Sequence, residues 1–141
     1  MIDLPIAIAI VDDIEMVRES YRLLLSQDKR FKVVAEGSSG VDAIDIAGRL
    51  KPQVMLMDIN MSPVNGFEAT RKIAKMYPDI KIIGISINNQ TGYARNLMQL
   101  GAKGFVTKNS DQSEVIEAIL EVCRGKTYLC KEIRDKMDAD T

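Results

Sequence analysis

The chain has 141 residues, 46% hydrophobic and 28% charged, a balance that suits one domain with a single buried core and excludes a disordered chain. A formal net charge of -1 leaves no basic field for nucleic acid or an anionic membrane surface. The chain has no histidine, and Cys123 and Cys130 fit neither a zinc nor a CxxC spacing, so zinc and haem sites are excluded and a reducing cytoplasm is the expected home.

At the N-terminus Asp3 and Pro5 flank a short apolar run with no basic region before it, which does not read as a signal peptide. No apolar stretch approaches the length of a membrane span. Residues 5–11 predict the first strand, whose run Ile6-Ala7-Ile8-Ala9-Ile10-Val11 stops on Asp12-Asp13. A helix is expected over 14–27, with Val17, Tyr21, Leu24 and Leu25 recurring at helical spacing.

Phe31-Lys32-Val33-Val34-Ala35 predicts a second strand, and Ser38-Ser39-Gly40 opens a helix whose expected core face is Val41, Ile44 and Ala47. Lys51-Pro52 ends it, because the residue before proline is pushed out of the helical region. Val54-Met55-Leu56-Met57 then runs apolar and halts on Asp58, the mark of a strand buried on both faces in a parallel sheet. A loop with proline and glycine punctuation, residues 59–66, leads to a third helix over 67–76.

The fourth strand, Lys81-Ile82-Ile83-Gly84-Ile85, ends on Ser86, and a helix follows over 91–100 with Gly101 suited to the position after its C-cap. Residues 103–107 predict the fifth strand, ending at Lys108. Ser110 is the expected N-cap of a fifth helix reaching Cys123, with Val115, Ile116, Ile119, Leu120 and Cys123 turned inward and Gly125 as its stop. Residues 126–141 fall outside the alternation, and their charged half, residues 131–136, reads as a short helix or a linker.

Five strands alternating with five helices predict an α/β doubly wound parallel sheet, in which sites form at the carboxyl edge. Asp12, Asp13, Asp58, Ser86 and Lys108 would then converge on one rim. Taken alone, Asp12 with Glu15 fits a capping box, while Asp58 fits a turn, Ser86 a cap, Lys108 a solvated strand end and Phe105 a core position. Together, the carboxylates repel unless a cation or Lys108 neutralises them, and oxygen ligands of this kind suit Mg²⁺. Asp58 beside such a cation is also a plausible nucleophile toward phosphorus.

Asp12-Asp13, Asp58 with Met61 and Gly66 following, Ser86, Phe105 and Lys108 together resemble the receiver domain of bacterial two-component response regulators, of the NarL/LuxR type. The resemblance covers residues 4–125 and implies a flavodoxin-like (βα)5 sheet of strand order 2-1-3-4-5. It implies phosphoryl transfer from a sensor histidine kinase to Asp58, with Mg²⁺ held by Asp13, Asp58 and the Asn60 carbonyl and by Asp12 through water. It further implies that Lys108 pairs with the phosphoryl group, that Ser86 moves to hydrogen-bond it, and that Phe105 is the switch residue. The expected protein is therefore a regulator and not an enzyme with a substrate of its own, acting by dimerisation or partner binding.

In this family type, the stretch after Gly125 leads toward a DNA-binding helix-turn-helix. Residues 126–141 are thus expected to be a linker or tail, with any DNA contact made only through an effector domain outside this sequence. Three positions depart from the family pattern: Ser62-Pro63 replaces a Met-Pro order, Asn109 stands where proline is common, and the large Ile87 follows Ser86. The Asn109 departure removes the usual reason for a cis bond there. Rival readings are a stand-alone receiver, a phosphorylation-independent binding module, and a haloacid-dehalogenase-like phosphatase. The last expects a second acid in a DxDx[TV] pattern, which Asp58-Ile59-Asn60-Met61-Ser62 lacks.

Overall fold

The computed structural model describes residues 4–61 and 64–139, so the expectations attached to Asp3 and to Ser62-Pro63 lie outside the described residues. The elements alternate in chain order as β1 (Ile6–Val11), α1 (Glu15–Ser26), β2 (Phe31–Gly37), α2 (Gly40–Leu50), β3 (Val54–Asp58) and α3 (Gly66–Met76). They continue as β4 (Lys81–Ser86), α4 (Thr91–Gln99), β5 (Gly104–Thr107), α5 (Gln112–Cys123), β6 (Tyr128–Leu129) and α6 (Lys131–Ala139). All pairings are parallel, in the order β2-β1-β3-β4-β5-β6.

The five expected strands keep their expected order, and the sheet carries one strand and one helix more than a (βα)5 unit. The added strand is two residues long, too short for any periodicity to announce it, and it forms because Tyr128 N donates to the Lys103 carbonyl at 2.9 Å. Of the two readings of residues 131–136, the helix is the one adopted.

β3 and β4 form the centre of the sheet. Every residue of β3 is buried, as its unbroken apolar sequence requires of a strand covered on both faces. α1 and α5 share one face, lining a cleft of about 370 Å³ between them, while α2 packs beside α3 on the other. Gly84 is demanded by this packing, since a Cβ there would drive into the Leu97 side chain of α4.

Four local expectations need correction. The inward residues of α2 are Ala43, Ile46 and Ala47, whereas Val41 is exposed. Ala47 is inward as expected and Ile44 packs partly buried against the core, while Ala43 and Ile46 take the inward place expected of Val41, the small alanines letting the helix lie close to the sheet. α5 is capped at Asp111 and not Ser110, whose N–H instead closes a turn on the Thr107 carbonyl at 3.0 Å; Val122 is buried where Cys123 was expected. Asp12 is not the N-cap of α1: that residue is Ile14, so the capping box with Glu15 does not form. Gly101 and Gly125, with φ of 115° and 84°, do take the left-handed positions past α4 and α5.

Candidate functional site

The strand register determines the site. Val11 of β1 pairs with Met57 of β3, so Asp12 and Asp58 leave neighbouring strands at the same level. On the other side Ser86 pairs with Thr107, and Lys108 N donates to the Ser86 carbonyl at 2.8 Å. Five expected residues are thereby delivered to one rim.

Carboxylate oxygens of Asp12, Asp13 and Asp58 lie within 4.8 Å of one another. Asp12 and Asp58 are each 2% exposed, while Asp13 opens to solvent. Lys108 Nζ reaches Asp12 Oδ2 at 3.1 Å and Asp58 Oδ2 at 3.7 Å. One ammonium among three carboxylates leaves the pocket electrically unbalanced toward the negative.

That imbalance is expressed at Asp58, whose carboxyl is pushed above the usual carboxylate range by burial and by the neighbouring Asp12 and Asp13. The Asn60 N–H, at 3.0 Å from Asp58 Oδ1, and Lys108 pull the other way. The negative field reaches farther: burial, then Asp12 and Asp58, raise the Tyr21 hydroxyl to about 12. A set of close hard oxygen donors with excess negative charge fits a divalent cation such as Mg²⁺.

Each acceptor at the strand ends is fixed by an amide two residues ahead. Asp12 Oδ1 accepts from Ile14 N at 2.9 Å, Asp58 Oδ1 from Asn60 N, and Ser86 Oγ from Asn88 N at 2.9 Å. The α3 end is pressed against this rim, since Gly66 N donates to the Ile59 carbonyl at 3.1 Å and a Cβ on Gly66 would enter the backbone of Asp58 and Ile59. Phe105 is fully buried within β5, and Ile87 stands 75% exposed beside the rim.

Two contributors escaped the sequence reading. Arg18 Nη1 donates to the Asp12 carbonyl at 2.7 Å while its Nε lies 3.5 Å from Glu36 Oε1, tying the β1–α1 turn to β2. Glu132 of α6 accepts from Thr107 Oγ1 at 3.0 Å. A basic residue at helical distance after Asp12 was a usable signal for Arg18; nothing local marks Glu132, which lies 25 residues from its partner.

A sequence profile of the response regulator receiver domain matches residues 8–120. The transcriptional regulatory protein DegU of Brevibacillus brevis is 39% identical over 124 residues, covering 88% of this chain and 52% of that protein. The response regulator UvrY of Escherichia coli (strain K12) is 38% identical over 132 residues, covering 94% and 61%. Among solved structures, a two-component response regulator of the LuxR family from Aurantimonas superposes with a TM-score of 0.92 at 29% identity, covering 96% of this chain and 97% of that one. The chain thus spans about half to three fifths of the length of the curated relatives it matches.

Proposed function

The chain belongs to the response regulator receiver domain family, and on that premise we propose that Asp58 accepts a phosphoryl group from a sensor histidine kinase in the cytoplasm. The observation that carries this reading is the convergence of Asp12, Asp13 and Asp58 with the single ammonium of Lys108 at the carboxyl ends of β1, β3 and β5.

Phosphoryl transfer asks mainly for positioning and charge neutralisation. The Asn60 N–H fixes the rotation of the Asp58 carboxylate, so that one oxygen is held ready for in-line attack on phosphorus. Lys108 stands where a phosphoryl oxygen would come to rest and exchanges its contact with Asp12 for one with the new group. Asp13, Asp58 and the Asn60 carbonyl would hold Mg²⁺, with Asp12 acting through water. Bound Mg²⁺ supplies charge neutralisation and orientation of the phosphoryl oxygens.

Modification adds roughly -1.5 to -2 charge beside Ser86 and Lys108. Ser86 answers by turning its hydroxyl from the Asn88 N–H toward the phosphoryl group, and Phe105 reports the change to the face bearing α4, β5 and α5. Altered dimerisation or partner binding is the output, and transcription regulation through an effector domain is its role in a longer protein. Among the described residues no helix is long and apolar enough to cross a membrane.

Acetyl phosphate treatment followed by intact mass spectrometry tests the proposal. An acid-stable, hydroxylamine-sensitive adduct is expected with Mg²⁺ and not with a chelator. Its survival in Asp58→Asn would place the nucleophile elsewhere.

A further inference from the structure

The face expected to carry the output is occupied by the chain's own C-terminal segment. β6 lies along the edge of β5 with Leu129 opposite Phe105, and Cys130 N donates to the Phe105 carbonyl at 3.0 Å. α6 then packs on α4, with Ile133 fully buried and Met137 partly so. Its first amide, Lys131 N, is held by Glu114 Oε2 at 2.8 Å, and that carboxylate also accepts from the Tyr128 hydroxyl at 2.7 Å.

Glu132 is the residue that joins this segment to the rim. It accepts from Thr107 Oγ1 at 3.0 Å and from Asn89 Nδ2 at 2.9 Å. Lys136 Nζ adds a bond to the Asn89 carbonyl at 3.3 Å. Thr107 immediately precedes Lys108, and Asn89 lies three residues beyond Ser86. A single carboxylate on α6 therefore holds both the end of β5 before Lys108 and the loop after Ser86.

Both bonds are open to exchange. Thr107 has one hydroxyl proton and three oxygens within reach, Asn109 Oδ1 at 2.6 Å, Glu132 Oε1 at 3.0 Å and Ser110 Oγ at 3.1 Å, so it serves either its own loop or α6. The Asn89 side belongs to a chain of short local bonds in which Ser86 Oγ accepts from Asn88 N and Asn88 Oδ1 accepts from Gln90 N at 2.8 Å. If Ser86 turns to a phosphoryl group, the first of these bonds breaks and Asn89, between the other two partners, is displaced. The donors on Glu132, Asn89 foremost, hold its carboxyl below the ordinary range, so it is a charged acceptor throughout the neutral region.

We propose that β6 and α6 form a latch over the α4 and β5 face, closed by Glu132 on Asn89 and Thr107, and that modification of Asp58 opens it. The inference rests on the phosphoacceptor reading given above. In the closed state the latch covers the edge of β5; in the open state it frees that edge.

The test is amide hydrogen exchange over residues 131–139 in the whole chain, with Mg²⁺ alone and with Mg²⁺ and beryllofluoride, while fluorine NMR reports occupancy of the site. Exchange in α6 is expected to quicken roughly three- to tenfold on occupancy, the scale of one or two partly exposed hydrogen bonds to a charge. Glu132→Ala and, from the opposite side, Asn89→Ala should exchange fast already and gain little more from beryllofluoride. By reciprocity both should bind beryllofluoride more tightly by the same factor. Lys131→Ala, which removes an exposed ion pair with Asp135 on the same helix, should respond like the wild type. A bound fluorine signal with α6 exchange unchanged or slowed overturns the latch and leaves the phosphoacceptor reading standing. No bound signal overturns that reading and the latch with it.

Discussion

Lys108 Nζ stands 3.1 Å from Asp12 Oδ2, closer than its 3.7 Å approach to Asp58. The ammonium thus leans on the acid beside the acceptor and leaves Asp58 the less compensated of the two buried acids. With only 18% of its side chain exposed, Lys108 neutralises a largely desolvated cluster, and removing it strands the charge. Lys108→Met is expected to lower stability by about 1–3 kcal/mol at neutral pH in chelator, measured by urea denaturation. Added Mg²⁺ should recover much of the loss, since a divalent cation can replace the missing charge.

Asp58 bears a cost of the opposite sign. Its carboxyl is raised in the folded state, chiefly by burial, so folding favours the protonated form. That contribution is fully present below the ordinary aspartate range and is lost as pH rises through the raised folded value. Asp58→Asn should therefore be more stable than the wild type at neutral pH in chelator, by on the order of 1 kcal/mol. Thermal unfolding followed downward in pH should show the difference shrinking as the wild-type carboxyl protonates.

Gly66 places α3 against the Asp58 strand end because nothing projects from its Cα. Gly66→Ala would force a methyl into the backbone of Asp58 and Ile59, which can yield only by moving the rim. A loss of about 1–3 kcal/mol is expected from overpacking alone. Weaker Mg²⁺ binding by titration should accompany it, whereas Gly92→Ala, on α4 where a Cβ meets nothing, should leave Mg²⁺ binding unchanged and raise stability by up to about 1 kcal/mol through helix propensity.

The rim was legible in the sequence because its parts are strand ends. Each apolar run that stopped on Asp12, Asp58, Ser86 or Lys108 fixed both a strand and the residue it presents, and parallel pairing brought those residues together. Helix phase was harder to read. Val41 is more apolar than Ala43, yet close packing on a sheet selected the alanine, and Cys123 lost its inward place to Val122 for the same reason of phase. The latch was illegible, since Tyr128-Leu129 is too short to show a period and Glu132 meets Thr107 and Asn89 only through the fold.

Ser86 is buried and its hydroxyl oxygen accepts from Asn88 N, so it is well placed to trade that bond for a phosphoryl oxygen. Ser86→Ala leaves the acids and Lys108 in place and should leave Asp58 modification largely intact, at a stability cost of about 1 kcal/mol for the orphaned amide. With beryllofluoride the variant should lack the NMR shifts around Phe105 and α4, and any change in self-association by sedimentation, that the wild type shows. Equal shifts and equal association would route the signal through another residue.

The central claim is that Asp58 is the phosphoacceptor, and it is tested most directly by locating the acyl phosphate. After reaction with acetyl phosphate and Mg²⁺, borohydride reduction of the acyl phosphate followed by peptide mass mapping should find the reduced residue at position 58 alone. Reduction found at Asp12 or Asp13, or at no aspartate while the intact protein carries phosphate, would contradict it.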